Sequence, residues 1–337
     1  MQFGLSEEQI LLLDNVNRFL DDNSPLDRVR LYADGGDDAD IWAGLAELGV
    51  PALLVPEAQG GIGLNPLDAA IVAESLGAHI TPSPFLGTAV MAPTALVASG
   101  GNHDDLLAEI AAGTHRVGIA FSEAIKRRND ARVEARDSRL FGKSLFAFDA
   151  DADSYLVADQ NKHLYLVAAQ DPGLTRTHLT TVDKTRRTVE LTYDDVAAQC
   201  ISTDVGVFER VLDIGRVAIA ADTLGAAQNM LDQAVEYAKQ REQFNRPIGS
   251  FQAVKHMCAE MAAQLEPCRS MVWFAGHALA ELPEEARVTA CHTKAHLAEV
   301  AQFVAKTATE VHGGMGFTDL VGLHYWFKRC GANRQGL

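Results

Sequence analysis

A chain of 337 residues, 47% hydrophobic and 22% charged, can build two or three layers with their own cores, which excludes a small stapled domain or a disordered segment. Lys and Arg number 29 against 45 Asp and Glu, a net charge of −16, and an acidic surface of that size repels phosphate backbones and anionic lipid. Neither nucleic acid nor a membrane is therefore expected as a partner. The cysteines (Cys200, Cys258, Cys268, Cys291 and Cys330) are odd in number and lack C-x-x-C spacing. They predict reduced thiols in a cytoplasmic protein, with no disulfide framework and no zinc ribbon. The opening MQFGLSEEQILLLDNVNRF has no basic start and carries acids through its apolar run, unlike a signal peptide. No apolar stretch approaches the length of a membrane span.

Residues 1–113 read as helices joined by Gly/Pro turns. Ser6 and Gln9 form a capping-box pattern, and Ile10, Leu13, Val16 and Leu20 follow at helical spacing. A second helix through Ile41, Leu45 and Leu48 stops at Gly49-Val50-Pro51, and the loop Pro56 to Gly63 follows. Helices are expected again from about Pro66 to Leu76 and before Gly113.

From 114 to 202 the period changes to two. Val117, Ile119 and Phe121 alternate, Tyr155-Leu156-Val157 and Leu164-Tyr165-Leu166-Val167 flank a polar turn, and Val189, Leu191 and Tyr193 supply a further strand. A small antiparallel sheet domain is predicted. Thr203-Asp204 then caps a long helix carrying Val211, Ile214, Ala218, Ala221, Leu224, Ala227, Leu231 and Ala234. Two more long helices, about 250–280 and 283–310, make residues 203–337 a helical bundle.

The run Ala234-Val235-Glu236-Tyr237-Ala238-Lys239-Gln240-Arg241-Glu242-Gln243-Phe244-Asn245-Arg246-Pro247-Ile248-Gly249-Ser250-Phe251-Gln252 strongly resembles the acyl-CoA dehydrogenase family. Glu310-Val311-His312-Gly313-Gly314-Met315-Gly316-Phe317-Thr318 does too. So do Leu45 to Val50, Pro56-Glu57 with Gly60 to Leu64, and Ala73 to Gly77. These blocks stand in the family's order and cover nearly the whole chain. The resemblance implies an N-terminal helical domain, a middle β-barrel-like domain and a C-terminal four-helix bundle. It also implies FAD, an acyl-CoA substrate, and oligomers in which a neighbouring subunit completes each flavin site.

Particular residues carry over. Arg241 and Phe244 match positions that meet the cofactor with charge and stacking, Gln252 a polar flavin-contacting position, and Gly313-Gly314 a turn that lets backbone approach the cofactor. Read singly, Arg241 is a cation at a helix C-terminus and Gly313-Gly314 an interhelical turn. Glu310 stands where the family commonly has Gln, and a carboxylate beside phosphates is unfavourable unless it is turned away or protonated. Arg216 matches a position that meets the CoA-binding region in some members; a surface salt bridge is the alternative.

Two expected parts are missing. The family removes the α-proton of an acyl-CoA with a glutamate while hydride leaves the β-carbon for the flavin. One of the two places that supply this glutamate falls on Leu337, the other on Gly215 just before Arg216, so neither holds a carboxylate. Asp213 is a weak candidate base; it and Glu209 point to other faces of the helix and read as solvated charges. The family's Thr-Glu-Pro…Gly-Ser-Asp flavin loop reads here Ser122-Glu123-Ala124-Ile125-Lys126-Arg127-Arg128-Asn129-Asp130, without the Gly-Ser-Asp turn. Phe146 or Phe148 stands near the place of the family's flavin-side Trp, and filling of the β core is the simpler reading of both. Lys126, Arg127 and Arg128 meet CoA phosphates, solvent or another subunit.

The absences fall on the flavin-ring and substrate half of the site. Some bacterial members, acting on steroid-derived CoA thioesters, pair a catalytic subunit with a shorter one lacking the base, and this chain resembles the shorter kind. It is expected to be the non-catalytic subunit of an α2β2 acyl-CoA dehydrogenase with a homologous catalytic partner. The alternatives are a homo-oligomeric enzyme with a relocated base and a flavin-free scaffold subunit. No metal site is expected: His292 and His296 stand four apart with Glu299 beyond, but Thr293 and Lys294 lie between the histidines where a metalloprotease has its glutamate.

Overall fold

The capping box forms as predicted: Ser6 Oγ accepts from the Gln9 N–H at 3.2 Å, and Gln9 Oε1 accepts from the Ser6 N–H at 3.0 Å. It opens α1 (Glu7–Asn23) of a computed structural model that describes residues 4–126 and 131–337. Arg127, Arg128, Asn129 and Asp130 lie outside the described residues, and with them most of the basic cluster and the end of the expected flavin loop.

After α1 the chain forms α2 (Leu26–Ala33), α3 (Ala39–Glu47), α4 (Pro66–Ala78), α5 (Ala92–Ala98) and α6 (Asp104–Ala111). Strand β1 (Val117–Ala120), the single turn α7 (Ser122–Ile125) and strands β2 (Val133–Arg136), β3 (Arg139–Phe148), β4 (Ser154–Ala158), β5 (Leu164–Ala168), β6 (Leu174–Leu179), β7 (Thr188–Ala197) and β8 (Gln199–Ser202) follow. Helix α8 (Val205–Gln240) leads through the short hairpin β9 (Glu242–Gln243) and β10 (Arg246–Pro247) into α9 (Gln252–Glu281), α10 (Pro283–His312) and α11 (Leu323–Gln335).

The chain divides into two compact units. One comprises Met1–Gly36, Ala70–Thr81 and Val217–Gly336; the other comprises Asp37–Ala69, Pro82–Arg216 and Leu337.

In the first unit, the end of α4 crosses α8 at backbone contact. A Cβ on Gly77 would collide with the Asp222 carbonyl, and one on Gly225 with the Glu74 carbonyl, so only glycine permits the crossing at either place. Helix α11, which sequence periodicity did not single out, joins the same unit through buried polar groups. Asn333 Nδ2 donates to Asp222 Oδ1 at 2.6 Å and to Thr223 Oγ1 at 2.9 Å, Arg329 Nη2 donates to the Thr81 carbonyl at 3.0 Å, and Trp326 Nε1 donates to the Ala78 carbonyl at 2.9 Å. A buried polar side chain is tolerated only when paired, and these pairs set the helix register.

The second unit holds the sheet, in the order β6-β7-β3-β1-β4-β5-β8 with β2 on β3. Its core gathers the period-two apolar residues, among them Tyr155, Val157, Val189, Leu191 and Val196, each no more than 3% exposed. The expectation of a purely antiparallel sheet is corrected in one place: β1 and β4 run parallel, Val117 to Ala120 against Ser154 to Val157. Strand β3 lies between them in sequence but pairs on the other side of β1, so the chain re-enters beside β1 in the same direction. Alternation reports which residues face the core, not the direction of the neighbouring strand. Backbone N–H to hydroxyl bonding from Val117 to Thr88 Oγ1, at 2.9 Å, anchors β1 on the preceding helical segment.

Candidate flavin and acyl site

At one end of the first unit, the residues expected to meet a dinucleotide are brought together. Tyr237 in the last turns of α8 stacks on His312, the last residue of α10, with ring centroids 4.6 Å apart. Arg241 follows Tyr237 by one turn, its N–H donating to the Tyr237 carbonyl at 2.8 Å, and Gly313 follows His312 directly. The contact therefore joins the arginine hairpin to the glycine turn. His312 is 3% exposed, its Nδ1 lies 2.8 Å from the Ala308 carbonyl, and burial holds its pKa below the ordinary histidine value. It is a packed ring that positions the turn after it.

The hairpin turns on Phe244 and Asn245, with φ of 54° and 58°. Consecutive left-handed residues match the twist of a two-residue hairpin, but a bulky aromatic is strained there. Phe244 is nevertheless 87% exposed, so no burial of its own compensates for the strain. Its ring meets Phe251 edge-on at 6.1 Å, and the Arg246 guanidinium sits 3.9 Å from the centre of the Phe251 ring. Sequence reading passed over Arg246; its place in the same hairpin as Arg241 was the available signal. Gln252 begins α9 and is exposed.

Gly313 caps α10 at φ 59° and ψ −137°, a conformation reserved for glycine. A Cβ on Gly313 or Gly314 would meet nothing within 4 Å, so this backbone is open to an approaching ligand. Glu310, one turn earlier, is exposed to solvent. Two arginines, an exposed aromatic ring and an open glycine backbone at one end of a helical unit suit the pyrophosphate and adenine part of FAD.

The second unit holds the positions expected to carry the base. Gly215 is buried in α8, and a Cβ there would lie 2.8 Å from Leu337 Cδ1 and 2.8 Å from Met91 Sδ. Arg216 Nε donates to the Leu337 carbonyl at 3.1 Å. The two places expected to supply the glutamate thus converge on one spot, and a leucine and a methionine fill it.

Asp213 corrects the sequence reading. It is 4% exposed and takes a 2.9 Å ion pair from Arg216 Nη1, so it is neither a solvated charge nor a carboxylate without a partner. Arg216 is likewise not a surface group, its side chain being 15% exposed. The helix is buried all round from Val211 to Gly215, leaving no solvent face for residue 213. Glu209 lies 3.7 Å from Lys162.

Glu123, the second residue of the expected flavin loop, is 7% exposed and turned inward. Its Oε1 accepts from the Leu145 N–H at 3.0 Å and its Oε2 from Ser122 Oγ at 2.6 Å, so it pins α7 to β3. Phe148 is partly buried, whereas Phe146 is 44% exposed and does not fill the β core. In the first unit Glu299 pairs with Arg334 at 2.6 Å and Lys294 donates to the Arg334 carbonyl at 3.2 Å, while His292 and His296 are exposed.

The acyl-CoA dehydrogenase N-terminal domain model matches residues 6–114 and the C-terminal domain model matches residues 205–336. Acyl-CoA dehydrogenase IpdE2 of Mycobacterium tuberculosis is 31% identical over 315 residues, covering 91% of this chain and 85% of that relative. The chain belongs to the acyl-CoA dehydrogenase family. Its members are flavoprotein oxidoreductases, which is the chemistry the arginine hairpin and glycine turn suit. Among solved structures, the Tcur3481-Tcur3483 steroid ACAD G363A variant has a TM-score of 0.88 at 27% identity, over 97% of this chain and 92% of that one. A crystal structure of the ChsE4-ChsE5 complex from Mycobacterium tuberculosis has a TM-score of 0.87 at 26% identity, over 99% and 93%. Among the described residues, no helix is long and apolar enough to cross a membrane.

Proposed function

We propose that this chain is the non-catalytic subunit of a heteromeric, α2β2 acyl-CoA dehydrogenase that introduces an α,β double bond into a steroid-derived acyl-CoA. The observation that carries the reading is the filling of the base position: Leu337 and Met91 occupy the space beside Gly215, and Arg216 is held by Asp213 and the Leu337 carbonyl. Support also comes from two similar structures whose names each join two chains, one of them a steroid ACAD.

In this reading Arg241 and Arg246 neutralise the pyrophosphate of an FAD shared with a homologous catalytic partner. Phe244 stacks on its exposed side, Gln252 hydrogen-bonds to it, and the Gly313-Gly314 backbone lets it approach without a clashing Cβ. Bound FAD supplies the hydride acceptor, and the partner's glutamate supplies the base. Glu310 stays in solvent, away from the phosphates. The homo-oligomeric alternative would need a relocated base, either an acid of the N-terminal domain or Asp213, whose Oδ1 is already engaged by Arg216.

Expression alone and together with a homologous chain bearing an intact glutamate tests this. The expected result is flavin absorbance and acyl-CoA-dependent bleaching only in the co-purified complex, with flavin lost on Arg241→Glu. Stoichiometric FAD reduced by an acyl-CoA in the isolated chain would overturn it. A complex whose assembly, flavin content and activity ignore Arg241→Glu would favour the flavin-free scaffold instead.

A further inference from the structure

The second unit contains an array of hydrogen-bonded side chains that the dehydrogenase reading leaves unused. Thr114 folds back on the end of α6, its N–H and Oγ1 both donating to the Glu109 carbonyl, at 3.0 and 3.1 Å. That turn sets His115 beside the Glu109 side chain, with His115 Nδ1 3.3 Å from Glu109 Oε2. The opposite ring nitrogen, Nε2, lies 2.9 Å from Ser154 Oγ. A carboxylate facing Nδ1 favours the tautomer with its proton there, leaving Nε2 to accept the hydroxyl proton of Ser154.

Ser154 is held rigidly as the first residue of β4, paired with Val117 on one side and Ala168 on the other. It is 4% exposed, and what it exposes opens into a cleft of about 800 Å³ whose lining includes His115 and Ser154. Leu166, Ala168, Ala197 and Ala198 supply apolar wall, and Gln170 and Gln199 supply side-chain amides. Thr114, Ser138 and Asp153 complete the lining, so the cleft suits a small molecule that joins an apolar part to polar groups.

We propose that Glu109, His115 and Ser154 form a second site, independent of flavin, at which Ser154 takes the acyl group of a small activated ester. Ser154 Oγ attacks the ester carbonyl carbon and passes its proton to His115 Nε2; the ester C–O bond breaks, and the proton leaves with the alcohol. Water then adds to the acyl-serine carbonyl, giving its proton to His115, which returns it to Ser154 as the carboxylic acid departs. No net oxidation occurs, and water is the only co-reactant. Gln170, Gln199 and Ser138 line the cleft and carry donors for the oxygen of the tetrahedral intermediate. Glu109 acts as a positioning residue for the imidazole.

The test uses the purified full chain, a fluorophosphonate probe and p-nitrophenyl acetate. The expected result is one phosphonyl group on Ser154, located by peptide mass, with ester turnover that Ser154→Ala abolishes. His115→Ala should slow labelling by about a hundredfold or more. Glu109→Gln should slow it less, with partial recovery in Glu109→Asp, which a purely structural link would not show. Circular dichroism establishes that each variant is folded. An unlabelled Ser154 in the folded wild-type chain, or labelling indifferent to His115→Ala, would overturn the proposal and leave the array as a tether between the α6–β1 turn and β4.

Discussion

Leu337 occupies the volume that a side chain on Gly215 would need, with Leu337 Cδ1 2.8 Å from the Cβ position and Met91 Sδ equally close. Both obstructing atoms lie in the outer part of a flexible side chain, so a single methyl group can be accommodated while a longer side chain displaces packed groups. Gly215→Ala should be close to neutral, because a gain of about 1 kcal/mol in helix propensity offsets the tight contacts. Gly215→Glu should lose about 1–3 kcal/mol through overpacking, and Met91→Ala in the same chain should return part of it. Urea denaturation of the three variants measures this order.

Arg216 and Asp213 form a mostly buried ion pair, with side chains 15% and 6% exposed. Removing one partner takes the opposite charge away from a mostly buried group, so Asp213→Leu or Arg216→Met alone should cost about 3–5 kcal/mol. The double variant should cost less than either single one, since an apolar pair of similar size leaves no buried charge without its counter-charge. A double-mutant cycle on unfolding free energies gives the coupling directly; additive losses would show that the pair is not interacting.

On the proposed reading, Phe244 should separate stability from cofactor binding. Its left-handed backbone costs roughly 1–2 kcal/mol in a bulky residue, and glycine there gives back about 0.5–1 kcal/mol in chain entropy. Phe244→Gly should therefore raise the unfolding free energy slightly, by up to about 1 kcal/mol, while lowering the FAD content of the assembled enzyme. Thermal unfolding and flavin-to-protein absorbance ratios on the same preparations check both halves.

Asp149 gives the second unit a pH dependence. Desolvation pushes its carboxyl pKa up to about 8, the neighbouring Asp38 carboxylate adds to the rise, and Arg116 opposes it. The unfolded carboxyl titrates near about 3.9, so between about pH 4 and about pH 8 the folded chain binds more protons than the unfolded one. Stability from this group is thus full below that window and lost as pH rises through it. Asp149→Asn should flatten the fall, and asparagine tolerates the backbone φ of 65° at this residue. His312 acts at the other end: its lowered pKa means the unfolded chain takes up the extra proton, so its contribution is lost as pH falls through about 6.5. Denaturation midpoints from acid to mildly alkaline pH, in the wild type and Asp149→Asn, report the first slope.

Local patterns were legible where the physics is local. The Ser6 and Gln9 cap, the long periodic helices and the apolar alternation of Val189, Leu191 and Tyr193 all read directly, since capping and side-chain period depend on residues a few positions apart. The parallel pairing of β1 with β4 did not, because neighbour direction leaves no mark on alternation. Helix α11 was hidden for a related reason: it is held by Arg329 and Asn333 as well as by an apolar stripe, and buried polar anchors resemble surface residues in a sequence.

The sequence by itself determined the family, the identity and spacing of the residues around Arg241 and Gly313, and the lack of a glutamate at positions 215 and 337, because these are matters of residue identity and spacing. Only the tertiary structure decided that positions 215 and 337 are one place, that Asp213 belongs to Arg216, and that Glu109, His115 and Ser154 meet. Those relationships join residues far apart in the chain, or depend on what surrounds a helix on every side. Burial and approach are properties of the packed chain, and no local pattern encodes them.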